Sequence, residues 1–169
     1  MVSLLCAGCF GGPAGQTASA TPGEHLGVTA TFPTAWSVTW RPCHDCADPR
    51  GIFEAASYRT ARHGPRLVCD GVADGEVVLS VNEVLAGRFA GQPAPPRSDY
   101  PPRRRPFRIG RLGRGRVYEG CDMPRAHLFR FRDSGRLLYA WAVFGPHPSR
   151  AVRAQAQDVL NSLRIAPLR

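Results

Sequence analysis

The densest chemistry in the chain is Pro42-Cys43-His44-Asp45-Cys46. Two thiols three positions apart support disulfide exchange when one of them heads a helix, where the dipole stabilises the thiolate. Here the chain continues Ala47-Asp48-Pro49-Arg50-Gly51, which is a turn, so that dipole is missing. Covalent haem attachment needs His directly after the second Cys, and Ala47 stands there. A zinc site would need ligands beyond Cys43, His44 and Cys46; His63 is the nearest, and there is no second CxxC. The preferred reading is a Cys43–Cys46 disulfide that staples a loop. The alternative is a thiol–disulfide oxidoreductase in which His44 tunes the thiolate. No metal and no cofactor are expected.

Other catalytic patterns are missing. The glycines of Gly110-Arg-Leu-Gly113-Arg-Gly115 run in the reverse order of a dinucleotide fingerprint and lead into a strand pattern, not a helix. The chain contains no lysine, so it has no phosphate-binding P-loop, and neither GxSxG nor HExxH occurs. Glu83 ends an apolar row with Val77, Leu79 and Val81. There it marks where the strand leaves the core, or else it sits in a pocket with a raised pKa or an arginine partner. Trp36, Trp40 and Trp141 are read as core packing before a ligand cleft.

Charge is the second chemical signal. The chain of 169 residues carries 22 basic residues and 13 acids, a formal charge of +9. Seven arginines and no acid fall within residues 103–116, and the rest of the chain holds 15 arginines against 13 acids. Clustered charge raises the local potential, and guanidinium forks suit phosphate and carboxylate. Arg103, Arg104, Arg105, Arg108 and Arg111 are therefore the expected contacts to an anionic partner. The bland reading of the same strip is a solvated basic loop. No helix-turn-helix, zinc-finger or RNP pattern accompanies it, which makes nucleic acid the weaker choice of partner.

Six cysteines are present: Cys6, Cys9, Cys43, Cys46, Cys69 and Cys121. The opening Leu4-Leu5-Cys6-Ala7-Gly8-Cys9 resembles the lipobox of bacterial lipoproteins, with Cys9 as the lipidated residue. It departs from that pattern in having Cys6 in place of Leu, no basic leader and a short apolar stretch, and is read as a truncated signal. Residues 10–23 (FGGPAGQTASATPG) are small and uncharged, the composition of a flexible tether. With Cys6 removed and Cys9 acylated, four thiols remain and permit three pairings. Cys43–Cys46 with Cys69–Cys121 is preferred. Bridged thiols imply an extracytoplasmic compartment, and a cytosolic protein with reduced thiols is the alternative.

The elements that must position these groups are mostly strands. Gly 18 and Pro 16 make up a fifth of the chain and predict many turns. Val28, Ala30 and Phe32 alternate with threonines up to Pro33, and residues 36–40, 52–59 and 76–84 follow as strands. A helical turn carrying Cys69 is expected within residues 65–73. Residues 86–106 are too rich in Gly and Pro for a central strand, and short strands are expected at 107–109 and 116–121. The clearest hairpin joins 128–132 to 136–144 through Asp133-Ser134-Gly135. One helix closes the chain, with Ser149 as N-cap and Val152, Ala156, Val159, Leu160 and Leu163 as its apolar stripe. The expected fold class is α+β: a twisted antiparallel β-sheet with a C-terminal helix packed on one face. The expected domains are a tether at 1–23 and a single α+β domain at 24–169.

The succession FPTAW (32–36), DGEVVLSVNE (74–83), GRLLYAWAVFG (135–145) and LNSLRI (160–165) resembles uncharacterised secreted and lipoprotein domains of actinobacteria and the wider PsbP-like fold. The resemblance implies a PsbP-like sheet-and-helix architecture and a cell-envelope location. It brings no catalytic residue. Together these readings predict a non-enzymatic, extracytoplasmic, lipid-anchored binding or accessory domain. Its expected partner is an envelope protein or anionic surface. A thiol oxidoreductase and a basic nucleic-acid-binding domain are the alternatives.

Overall fold

The computed structural model describes residues 20–40, 49–58, 72–85, 88–89, 92–93, 96–110, 113–116 and 122–167. Cys6, Cys9, Cys43, Cys46, Cys69, Arg111 and Cys121 lie outside them, as does nearly all of the turn expected at 65–73. In chain order the strands are β1 (Ala20–His25), β2 (Val28–Pro33), β3 (Ser37–Trp40), β4 (Arg50–Ala56), β5 (Val77–Val84), β6 (Arg88–Phe89), β7 (Gln92–Pro93), β8 (Gly113–Arg116), β9 (Asp122–Asp133), β10 (Arg136–Phe144) and β11 (Arg164–Ile165), with helix α1 (Arg150–Ser162) before the last. A 3-10 turn spans Arg97–Asp99.

The fold is mixed α+β. The main sheet is antiparallel, in the order β3-β4-β5-β10-β9-β8, and a second antiparallel sheet has the order β1-β2-β11. β6 and β7 form a separate short pair. Helix α1 packs on one face of the main sheet. Ala156, Val159, Leu160 and Leu163 share a core with Val77, Leu79 and Val81 of β5 and Leu138, Ala140, Ala142 and Phe144 of β10. The alternating alanines of β10 leave room for the helix to approach, and the predicted apolar stripe is buried from Ala156 to Leu163, with Val152 half-buried. The Ser149 hydroxyl accepts from the Val152 amide at 3.1 Å, as an N-cap should.

The β9–β10 hairpin follows the expected turn. Asp133 pairs with Arg136. Ser134 and Gly135 between them both take positive φ, 52° and 80°, the conformation a two-residue turn needs to match strand twist. β9 begins at Asp122, earlier than its apolar pattern suggests.

Two expectations are revised. β1 pairs Ala20 to Gly23 with β2, so the sheet takes in four residues whose composition reads as tether. Gly23 is small for a reason: a Cβ there would overlap the Trp40 indole. Residues 107–109 are not a strand, because their amides are bound to the helix instead, as shown below.

The opposite face of the main sheet has its own apolar cluster, with Val84, Tyr100, Tyr139, Trp141 and Val143. Trp36 and Trp40 belong to the helix-side core, whereas Trp141 is on the other face. The three tryptophans therefore line no common cleft. Among the described residues no helix is long and apolar enough to cross a membrane.

Candidate functional site: an arginine-lined groove at the sheet edge

The segment 101–110 runs beside β9, and the helix fixes its course. Arg153, Gln157 and Asn161 are spaced by four and form one row on α1. Asn161 Oδ1 accepts from the Phe107 amide at 2.6 Å, and Gln157 Oε1 accepts from the Ile109 amide at 3.2 Å. Arg153 donates to the Gly110 carbonyl at 2.9 Å. A polar helix face thus holds a loop whose backbone donors would otherwise have joined the sheet. Phe107 anchors the same segment, with ring centroids 5.1 Å from Phe129 and 5.2 Å from Phe131.

This divergence leaves a groove of about 410–570 Å³ in each of two adjoining parts. The larger lies between the loop and residues 128–131 of β9, and Arg104, Arg105, Arg108 and Arg130 line it. The smaller continues past Arg97, Arg105 and Arg132 to the hairpin turn. Arg104 and Arg108 are exposed and have no ion-pair partner among the described residues. The Arg105 side chain is 62% exposed and lies 3.6 Å from Asp133, too solvated for that pair to hold it strongly.

Arg103 is different. Its side chain is only 3% exposed and pairs with Asp133 at 3.1 Å. It donates to the Leu160 and Leu163 carbonyls at 3.2 and 2.9 Å, where a cation complements the C-terminal end of the helix dipole. Its guanidinium also faces the rings of Phe107 and Phe131. Burial lowers its pKa; the Asp133 hydrogen bond opposes this, and the neighbouring Arg105 charge adds to it. The expectation that Arg103 meets a partner gives way to a structural role. It ties the loop, the hairpin turn and the helix end together. Arg103→Ala is expected to lower stability by roughly 1.5–3 kcal/mol, the range for lost hydrogen bonds to a charged group. Arg104→Ala should stay within about 0.5 kcal/mol of wild type, as exposed sites do. Urea unfolding of the two variants checks this.

Arg130 was not among the residues expected here. The alternation Leu128-Phe129-Arg130-Phe131-Arg132 contains the signal, since it puts both arginines on the face opposite half-buried Phe129 and buried Phe131. What no local pattern supplies is the long-range proximity of Arg130 to Arg104 and Arg108.

Two buried carboxylates lie elsewhere. Glu83 is 1% exposed and is held by Arg136 through two bonds of 2.7 Å and by Arg50 at 2.5 Å. Burial raises its pKa, but the hydrogen bonds and charges of both arginines outweigh this, and the net direction is down. Of the two readings of Glu83, the structure has the arginine-partnered one. Glu54 on β4 is 5% exposed, and burial pushes its pKa up to about 7. Its Oε1 has no hydrogen-bond partner among the described residues. It pairs across the sheet with Thr39 and Ser80.

Among the described residues no three His, Cys, Asp or Glu side chains gather as a metal site. Compared with known proteins, the chain matches no family model, no curated protein and no solved structure at a significant level.

Proposed function

We propose that this chain is a non-enzymatic, extracytoplasmic binding or accessory domain that holds an anionic partner in the arginine-lined groove. The supporting observation is the convergence of Arg104, Arg105, Arg108 and Arg130 on one concave surface, with Asp133 3.6 Å from Arg105. Solvated basic loops spread their charge; here Arg104, Arg105 and Arg108 line one groove together with Arg130 of β9 and the aromatic residues Phe107, Phe129 and Phe131, which focuses potential and offers forked donors. The proposal includes a lipid anchor at Cys9, disulfides among Cys43, Cys46, Cys69 and Cys121, and a PsbP-like arrangement of sheet and helix. A thiol oxidoreductase using Cys43 and Cys46 is the competing reading. Insulin reduction by the wild type but not by Cys43→Ser would turn the assignment that way.

The test of the groove is salt dependence. Binding of inorganic polyphosphate is measured across ionic strength for the wild type and for a variant with Arg104, Arg105 and Arg108 all changed to Ser. Each phosphate contact adds about one to the slope of log affinity against log salt, so the variant's slope should fall by about two to three. An unchanged slope would remove the groove from the account.

A further inference from the structure

We propose that the groove's occupant is an extended acidic peptide, added as an edge strand against residues 128–131 of β9. This deepens the preceding reading and rests on it.

In an antiparallel sheet, a strand's amides and carbonyls face one neighbour at every second residue. Arg132 faces outward: its amide donates to the Pro101 carbonyl at 2.9 Å, and its carbonyl accepts from the Arg103 amide at 3.0 Å. Ala126, six residues earlier, pairs outward with Gly113 of β8. The intervening positions of the same parity are Leu128 and Arg130. Their outward amides and carbonyls have no backbone partner among the described residues. On the facing loop the Phe107 and Ile109 amides are bound to Asn161 and Gln157 of α1 instead. Among the described residues the edge is covered at both ends and unpaired for about 14 Å between them, at roughly 3.4 Å per residue. Two donors and two acceptors there match a strand of about four residues.

Open edges attract other strands, and proteins commonly guard them with charge. Here the guard has one sign. Arg104, Arg105 and Arg108 flank the opening from the loop, and Arg130 belongs to the edge itself. Basic strands are repelled, and an acidic strand is favoured over a neutral one by charge complementarity. Main-chain bonds supply affinity, and alternate carboxylates supply recognition, as in other strand-addition complexes. A polyphosphate or an anionic membrane would satisfy the arginines but leave the Leu128 and Arg130 backbone groups unmatched.

The test uses a fluorescein-labelled, end-capped tetrapeptide of alternating Glu and Thr, its length matched to the opening, read by anisotropy with the full chain. Two analogues carry backbone N-methyl groups, one on every Glu and the other on every Thr. They keep the charge but block strand pairing on one side of the peptide. The parent should bind, and one analogue should bind at least tenfold more weakly. Amide exchange at Leu128 and Arg130 should slow at least tenfold with the parent peptide and remain unchanged with polyphosphate. If polyphosphate binds through the arginines while both analogues bind as well as the parent, strand addition is overturned and the anion groove stands. If neither peptide nor polyphosphate binds, both fall. If anionic vesicles bind and the parent peptide does not, the inference is again overturned, with lipid as the partner. No variant needs to fold for these readings.

Discussion

Arg136→Met is expected to destabilise the chain by about 3–5 kcal/mol, the usual penalty for leaving a buried charge without its partner. Arg136 and Glu83 are each 1% exposed and face each other through two bonds of 2.7 Å. The third guanidinium nitrogen donates to the Leu26 carbonyl at 2.9 Å and the Ala166 carbonyl at 3.2 Å. One side chain therefore fastens the β1–β2 turn and the end of β11 to the main sheet. Its removal strips Glu83 of its best partner and leaves two carbonyls short of a donor. The double variant Glu83→Leu, Arg136→Met should recover much of the loss, because it buries no unpaired charge, and Arg50 can turn its partly exposed head to water. A denaturant-based double-mutant cycle should give a coupling above about 2 kcal/mol. A single-variant loss below 1 kcal/mol would mean that the network is ornamental. The same pair sets an acid limit. The Glu83 carboxyl is held below its ordinary 4.5, so its contribution is complete above that pH and is lost as pH falls through the folded value.

Glu54 produces the opposite slope. Burial raises its pKa from 4.5 to about 7. Below pH 4.5 the carboxyl is protonated in both the folded and the unfolded chain, and it adds no pH dependence. Between 4.5 and 7 the unfolded chain releases the proton while the folded chain keeps it, so stability falls as pH rises. Above 7 both are ionised, and the penalty stays constant at about 3 kcal/mol. Glu54→Gln removes the titration. Relative to wild type, the variant should gain on the order of 2–3 kcal/mol between pH 4 and pH 8. Urea midpoints at half-unit pH steps measure this. Parallel profiles for the two proteins would show that Glu54 is solvated in solution.

Much of the fold was legible because strand and helix periods are local. The Val28, Ala30 and Phe32 alternation, the strong strand at 77–84 and the helix stripe all lie where their patterns indicate. β1 was not legible. Its residues carry no apolar alternation, and it is held by pairing with β2 and by the fit of Gly23 against Trp40. The site was legible only in outline. Clustered arginines are visible in one dimension. That Arg103 turns inward while Arg104, Arg105 and Arg108 line a groove depends on Asp133 and the helix C-terminus, which are far away in sequence. Residues 107–109 read as a strand because their side chains suit one. Asn161 and Gln157 capture their amides, and a residue pattern at 107–109 has no access to that competition. Glu54 sits in a run buried on both faces, where a lone carboxylate has no periodic signature.

The division of labour among the arginines is the central claim, and side-chain nuclear magnetic resonance addresses it directly. Arginine Nε–Hε resonances are followed while inorganic polyphosphate is added at low salt. Arg104, Arg105, Arg108 and Arg130 should shift together along one saturable curve, while Arg103 and Arg136, buried and already paired, stay in place. Uniform small drifts across every exposed arginine of the chain, or movement of Arg103 with the others, would contradict the account.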